Sequence, residues 1–154
     1  FDLPMTAKKF LVKRESYLKV LFPEAEEMTG AGDYLRHLHS INIPTGIATS
    51  SHRHLCDLKI GQRDWRALLT TIVCGDDAEL HNSKPKPDIF LFFAHRMGIK
   101  AKNIVAFEDS RNGVLAAKAA GMTVVAIKSP YTSPEDLQEA DLVIENYRCL
   151  LTYP

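Results

Sequence analysis

Val105–Met122 reads VAFEDSRNGVLAAKAAGM, and it holds a strand, a turn, a helix and a second turn in succession. Ile104 to Phe107 is a short apolar run of the length expected for a buried strand. Glu108, Asp109 and Ser110 follow it at once. Asn112 to Ala120 is rich in small residues that suit a helix packed close to a sheet, and Gly121 supplies the stop. Met122 to Ile127 opens the next apolar strand. A strand, a crossover helix and a second strand in this order make a parallel pair.

The same alternation runs outward on both sides. Upstream, Ile43 to Thr49 (IPTGIAT) and Thr71 to Cys74 (TIVC) read as buried strands, and Asp141 to Ile144 reads as a last short one. Between them, Ala31 to His39, Ser50 to Asp57 and the segment of Trp65, Leu68 and Leu69 read as helical. A further helix, capped by Asp88, carries Ile89, Phe90, Phe93, Ala94 and Met97 on one face. Thr6 caps a first helix over Lys8 to Leu21, with Phe10, Leu11, Tyr17, Leu18 and Leu21 on its apolar side, and Pro23 ends it. Near-continuous apolar strands alternating with helices predict an α/β, Rossmann-like parallel sheet covered by helices on both faces.

Composition narrows the function. Of 154 residues, 45% are hydrophobic and 25% charged, ordinary for one globular domain. Lys plus Arg and Asp plus Glu stand at 19 each, so there is no basic surplus for nucleic acid or an anionic membrane. No apolar run has the length of a membrane span. Cys56, Cys74 and Cys149 are widely spaced and odd in number, which points to a reducing, cytoplasmic setting rather than a disulfide framework. Nucleic acid and membrane are therefore not expected as partners.

In a parallel sheet, ligands bind beyond the carboxyl ends of the strands. Thr49 and Ser50 end one strand before a helix, where a hydroxyl and free N–H groups make a phosphate cradle, or only a helix cap. Lys84 lies in SKPKPD, a loop stiffened by two prolines, and can cancel phosphate charge there or remain a solvated turn lysine. Glu108 and Asp109 are adjacent carboxylates at a strand end. Their repulsion is relieved by a hard cation such as Mg2+, although Asp109 or Ser110 can also serve as a cap. Asp76 and Asp77 are read as a turn with solvated carboxylates, less readily as neighbours of a cation. His52 is a candidate substrate contact. Trp65 and the Phe90–Phe93 segment belong to the core, and Cys74 is a buried thiol.

Taken in order, IATSS at Ile47–Ser51, SKPKPDIF at Ser83–Phe90 and VAFEDSRNGVLAAKAAGM resemble the haloacid dehalogenase-like superfamily, in its β-phosphoglucomutase-like branch. The resemblance runs from Leu3 to about Asn146. It implies that Thr49, with the Ser50 backbone, binds the transferring phosphoryl group and that Lys84 balances its charge. Asp109 then holds magnesium, with Glu108 beside it. It also implies that residues 1–28 are the end of a helical cap and its hinge, and that residues 29–154 are the core.

One part of that pattern is not found. The family's nucleophile strand ends in D-x-D-x-T/V, whose first aspartate attacks phosphorus and whose second is general acid and base. Asp33, Asp57, Asp64, Asp76 and Asp77 all lack that spacing. The expectation is a core without its central strand, inactive alone and left with a gap through which it self-associates. The complete protein is expected to be a magnesium-dependent phosphatase of a small phosphomonoester. A sugar phosphomutase and a non-catalytic remnant that binds phosphate or a partner are the alternatives.

Overall fold

A computed structural model describes residues 4–151. Phe1 to Leu3, where the family resemblance begins, lie outside the described residues. The chain opens with α1, Ala7–Leu21, whose first turn is capped by Thr6 through the Lys9 N–H at 3.3 Å. It buries none of its residues among those described. Phe10, Leu11, Tyr17 and Leu21, read as its apolar side, are all exposed. After Pro23 come α2 (Ala31–Ser40), β1 (Thr45–Thr49) and α3 (Arg53–Ile60). A 3-10 turn at Asp64–Leu68 leads into β2, Leu69–Cys74. The second half is α4 (Asp88–Met97), β3 (Val105–Glu108), α5 (Arg111–Ala119), β4 (Thr123–Ile127), α6 (Pro134–Leu137), β5 (Leu142–Ile144) and α7 (Arg148–Leu151).

All strand pairs are parallel, as the alternation of elements predicts. β1 pairs with β2, setting Ala48 against Val73 and Thr49 against Cys74. β3, β4 and β5 form a second ladder in that order. The sheet is in two pieces, with no ladder between β1 and β3. One core nevertheless spans both. Val73 of β2, Phe90 and Phe93 of α4, Ala106 of β3, Val114 and Ala117 of α5, and Val124 of β4 are buried in the same cluster. Across the other face, Tyr34 of α2 packs its ring edge-on to Phe107 of β3 at 5.6 Å and lies 5.9 Å from Tyr147.

Several element bounds differ from the sequence reading, each for a local reason. β1 starts at Thr45, not Ile43, because Asn42 takes φ 59° and the Ile43 N–H donates back to Leu38 O, closing α2. Pro44 has no N–H to offer the ladder. Helix α3 starts at Arg53 rather than Ser50. Ser51 N donates to Thr49 Oγ1 and Gly75 N to Ser51 O, which holds the residues before it as a bend. Asp88 does not cap α4; its carboxylate accepts from Asn82 N and Nδ2 instead. Helices α6 and α7, four residues each, are too short for periodicity to reveal. Asp77 corrects the solvated-turn reading. Its carboxylate accepts from Arg53 Nη2 at 3.1 Å, Arg96 Nη1 at 3.2 Å and Cys74 N at 3.3 Å, joining α3, α4 and β2.

Gly46 lets β1 lie this close to its neighbours, since a Cβ there would stand 2.5 Å from Thr71 O and 2.7 Å from the Phe93 ring. Gly46→Ala should therefore lower unfolding stability by about 1–3 kcal/mol, because backbone and a buried ring must both give way. Urea titration measures it; an unchanged midpoint would contradict this packing.

Candidate functional site

The carboxyl ends of β1 and β3 bring the expected residues to one edge. Lys84 reaches them from the loop after β2. Its ammonium donates to the Ala48 carbonyl at 3.2 Å, pairs with the Glu108 carboxylate and lies 4.7 Å from the centre of the Phe90 ring. Both side chains of the ion pair are nearly buried, Lys84 at 11% and Glu108 at 10% exposure. Lys84 thus touches the strand that ends in Thr49 and the strand that ends in Glu108, and it spans the break between the two ladders.

Glu108 is seated by the start of α5. Ser110 donates from Oγ to Glu108 Oε2 at 3.4 Å, and its Oγ accepts from Gly113 N at 3.2 Å, which makes it the cap. A Cβ on Gly113 would come 1.8 Å from Glu108 Oε2, so this position has room only for hydrogen. Burial pushes the Glu108 carboxyl above its ordinary range, and the Lys84 ammonium works against that shift.

Asp109 stands apart from this seat. It is exposed, and among the described residues its carboxylate accepts no hydrogen bond and makes no ion pair. No group of three or more His, Cys, Asp or Glu able to hold a metal occurs among the described residues. Asp109 and Glu108 are therefore at most two protein ligands. That suits magnesium, which keeps several waters and commonly takes one or two carboxylates plus substrate phosphate. Asp76 accepts the Arg53 N–H at 2.8 Å through one carboxylate oxygen, at the start of α3. Thr49 uses Oγ1 as acceptor for Ser51 N and so keeps its hydroxyl proton to donate.

Two cavities meet at Ser50 and Lys84. The larger, about 440 Å³, is also lined by Ser110, Arg111, Asn112, Tyr131, Thr132 and Asp136. The smaller, about 220 Å³, adds His52, Gly75, Leu80, His81, Asn82, Ser83 and Ile89. His52, a surface or loop histidine with a candidate substrate role, lines the smaller cavity. Arg111, Tyr131, His81 and Asn82 were not singled out by the sequence reading. The rule that residues after each strand line the site would have found Tyr131 had it been applied to the loop after β4.

The chain is similar to known proteins over most of its length. The sequence model of haloacid dehalogenase-like hydrolases matches residues 4–127. The chain is 42% identical over 144 residues to (DL)-glycerol-3-phosphatase 2 of Arabidopsis thaliana, covering 91% of the chain and 60% of that protein. It is 40% identical over 148 residues to a "Probable pseudouridine-5'-phosphatase" of Drosophila melanogaster, covering 94% and 64%. A crystal structure of a family IA, variant 3 HAD hydrolase from Entamoeba histolytica superposes with a TM-score of 0.80 at 28% identity, over 92% of this chain and 66% of that one. The chain thus spans under two thirds of the length of these relatives.

Removing Lys84 leaves Glu108 buried without its counter-charge. Lys84→Met should destabilise the chain by about 3–5 kcal/mol, and adding Glu108→Gln should restore part of the loss. A double-mutant cycle in urea measures the coupling. Additive losses would mean that the two groups do not form a working pair.

Proposed function

The chain belongs to the haloacid dehalogenase-like hydrolases, and from that premise we propose that the complete protein is a magnesium-dependent phosphatase of a small phosphomonoester. The observation that carries the reading is Lys84, fixed between the Ala48 carbonyl and Glu108 at the edge where Ser50 opens two cavities. Thr49 donates its hydroxyl to one phosphoryl oxygen and the Ser50 N–H serves a second. Lys84 offsets charge on the phosphate and on the attacking group. Glu108 pairs with the Lys84 ammonium and holds it in place. Asp109, with Glu108 beside it, would hold magnesium, which when bound supplies charge stabilisation for the transferring group.

The attacking carboxylate is proposed to come from a strand seated between β1 and β3, each hydrogen-bonded on one side only. It forms a bond to phosphorus as the ester oxygen departs. A second aspartate protonates the leaving alcohol, then takes a proton from the water that cleaves the aspartyl-phosphate. Pseudouridine 5′-phosphate is the proposed substrate, supported by 40% identity to the Drosophila relative of that name. No helix among the described residues is long and apolar enough to cross a membrane. Cys56 and Cys74 are buried thiols, which fits the proposed reducing, cytoplasmic setting.

In the full-length protein, Asp109→Asn should lower magnesium-dependent turnover by about a hundredfold or more. Undiminished activity with the same metal requirement would overturn the role given to Asp109. Residues 1–154 alone should show no phosphatase activity and should self-associate on size exclusion through the open edges of β1 and β3. Turnover by a clean monomer would place the nucleophile among these residues.

A further inference from the structure

The larger cavity holds two side chains that phosphate chemistry does not use. Arg111, at the first position of α5, is exposed, and among the described residues its guanidinium makes no hydrogen bond or ion pair. Asp136, which shares the cavity, is already an acceptor for Ser133 N at 3.0 Å and Ser133 Oγ at 3.1 Å. Lys84, the other cation of the cavity, is taken by Glu108 and the Ala48 carbonyl. Arg111 feels the Asp136 carboxylate through Coulombic attraction alone, and it is the cation of the cavity whose donors carry no hydrogen bond among the described residues.

Tyr131 is 93% exposed, on the loop between β4 and α6. It contributes nothing to the core. Its backbone is nonetheless fixed: Tyr131 N donates to Ser129 Oγ at 3.2 Å, and Ser129 Oγ lies 3.1 Å from Thr132 Oγ1. An aromatic ring presented to solvent from a tied loop, lining the same cavity as this guanidinium, has a defined chemical preference. The ring offers a stacking face, and the guanidinium offers paired donors in one plane. A flat ring bearing carbonyl groups satisfies both at once. A flexible polyol has neither a face to stack nor carbonyls to accept the fork.

We propose that Arg111 and Tyr131 are the leaving-group recognition pair of this site, selecting nucleoside monophosphates over polyol phosphates. The proposal rests on the phosphatase reading above and names its substrate class. The cavity of about 440 Å³ lies within the size range of small-molecule sites and has room for more than a phosphoryl group. Its recognition is separate from charge balance at the phosphate, which Lys84 and Thr49 provide.

The test uses the full-length protein with magnesium, uridine 5′-monophosphate and sn-glycerol 3-phosphate. The wild type should show the higher kcat/KM on the nucleotide. Arg111→Ala and Tyr131→Ala should each lower the nucleotide-to-glycerol preference about tenfold, chiefly through KM for the nucleotide. Tyr131→Phe should keep most of the preference, because the stacking face remains, and Arg111→Lys should not, because the planar fork is lost. Thermal melts confirm that each variant is folded. A wild type that prefers glycerol 3-phosphate overturns the proposal, as does an unmoved ratio. Equal losses on both esters also overturn it, by placing Arg111 on the phosphate. A wild type that hydrolyses no phosphate ester, including an aryl phosphate, overturns the phosphatase reading and this inference with it.

Discussion

The ammonium of Lys84, held between a backbone carbonyl of β1 and a carboxylate of β3, is the contact on which the site depends. β1 and β3 share no ladder, so backbone hydrogen bonding does not set their relative position at this edge. A charge pair with each side chain only about a tenth exposed is costly to desolvate, and it stands only because its geometry is well satisfied. Lys84 has three partners: a carboxylate, a carbonyl and the face of Phe90. Glu108 has the ammonium, the Ser110 hydroxyl and the start of α5, whose dipole favours a negative charge. The absence of a side chain at Gly113 makes that seat possible. A loop lysine and, well downstream of it, a strand-end glutamate and a helix glycine are one device.

What keeps the two ladders in register away from this edge is apolar burial. Val73, Phe90, Phe93, Ala106, Val114, Ala117 and Val124 share a single core, so helices α4 and α5 are packed on strands from both ladders. Burying each large side chain stabilises the fold by about 1.5–3 kcal/mol, more than the about 1 kcal/mol net of a typical hydrogen bond. The core can therefore hold an interrupted sheet together, while the open edges of β1 and β3 remain. Helix α1 contrasts with this. It is well capped, yet buries nothing among the described residues, so its conformation follows from local propensity and its apolar side is uncovered.

The strands and most helices were legible because burial on both faces of a parallel sheet leaves unbroken apolar runs, such as those before Thr49 and Glu108. The post-strand rule then brought Thr49, Ser50, Glu108 and Asp109 to one edge without any knowledge of contacts. Lys84 was legible from its stiff proline-flanked loop. Three things were not. Asp77 looks like any turn carboxylate in sequence, and its three partners come from α3, β2 and α4, which only the packed chain assembles. Asp88 sits where a cap belongs, but the Asn82 backbone and amide reach it first. Arg111 and Tyr131 are separated by a whole strand and helix, and no local pattern marks two exposed side chains as sharing a cavity.

Charge around Lys84 gives a reason why the proposed phosphatase would need a cation at this edge. Lys84 is balanced by Glu108, so the pair brings almost no net charge to an arriving phosphate. Asp109 adds a negative charge a residue away, with no ion pair to offset it among the described residues. Arg111 offsets that charge at most once. With Asp136 also lining the cavity, a phosphate dianion approaching Ser50 and Thr49 would meet no positive surplus, and a chain of zero formal net charge supplies no general attraction. The hydroxyl and N–H groups of Thr49 and Ser50 orient the anion but do not neutralise it. In the proposed function, Asp109 would hold a divalent ion that would offset the deficit and the repulsion between Asp109 and Glu108 together. Replacing Asp109 by an uncharged residue makes the bare site more positive, yet it takes away the ligand that would draw in the ion. The sign of the charge change alone would predict tighter phosphate binding; the loss of the ligand predicts lost turnover, and the two effects separate binding from catalysis at this edge.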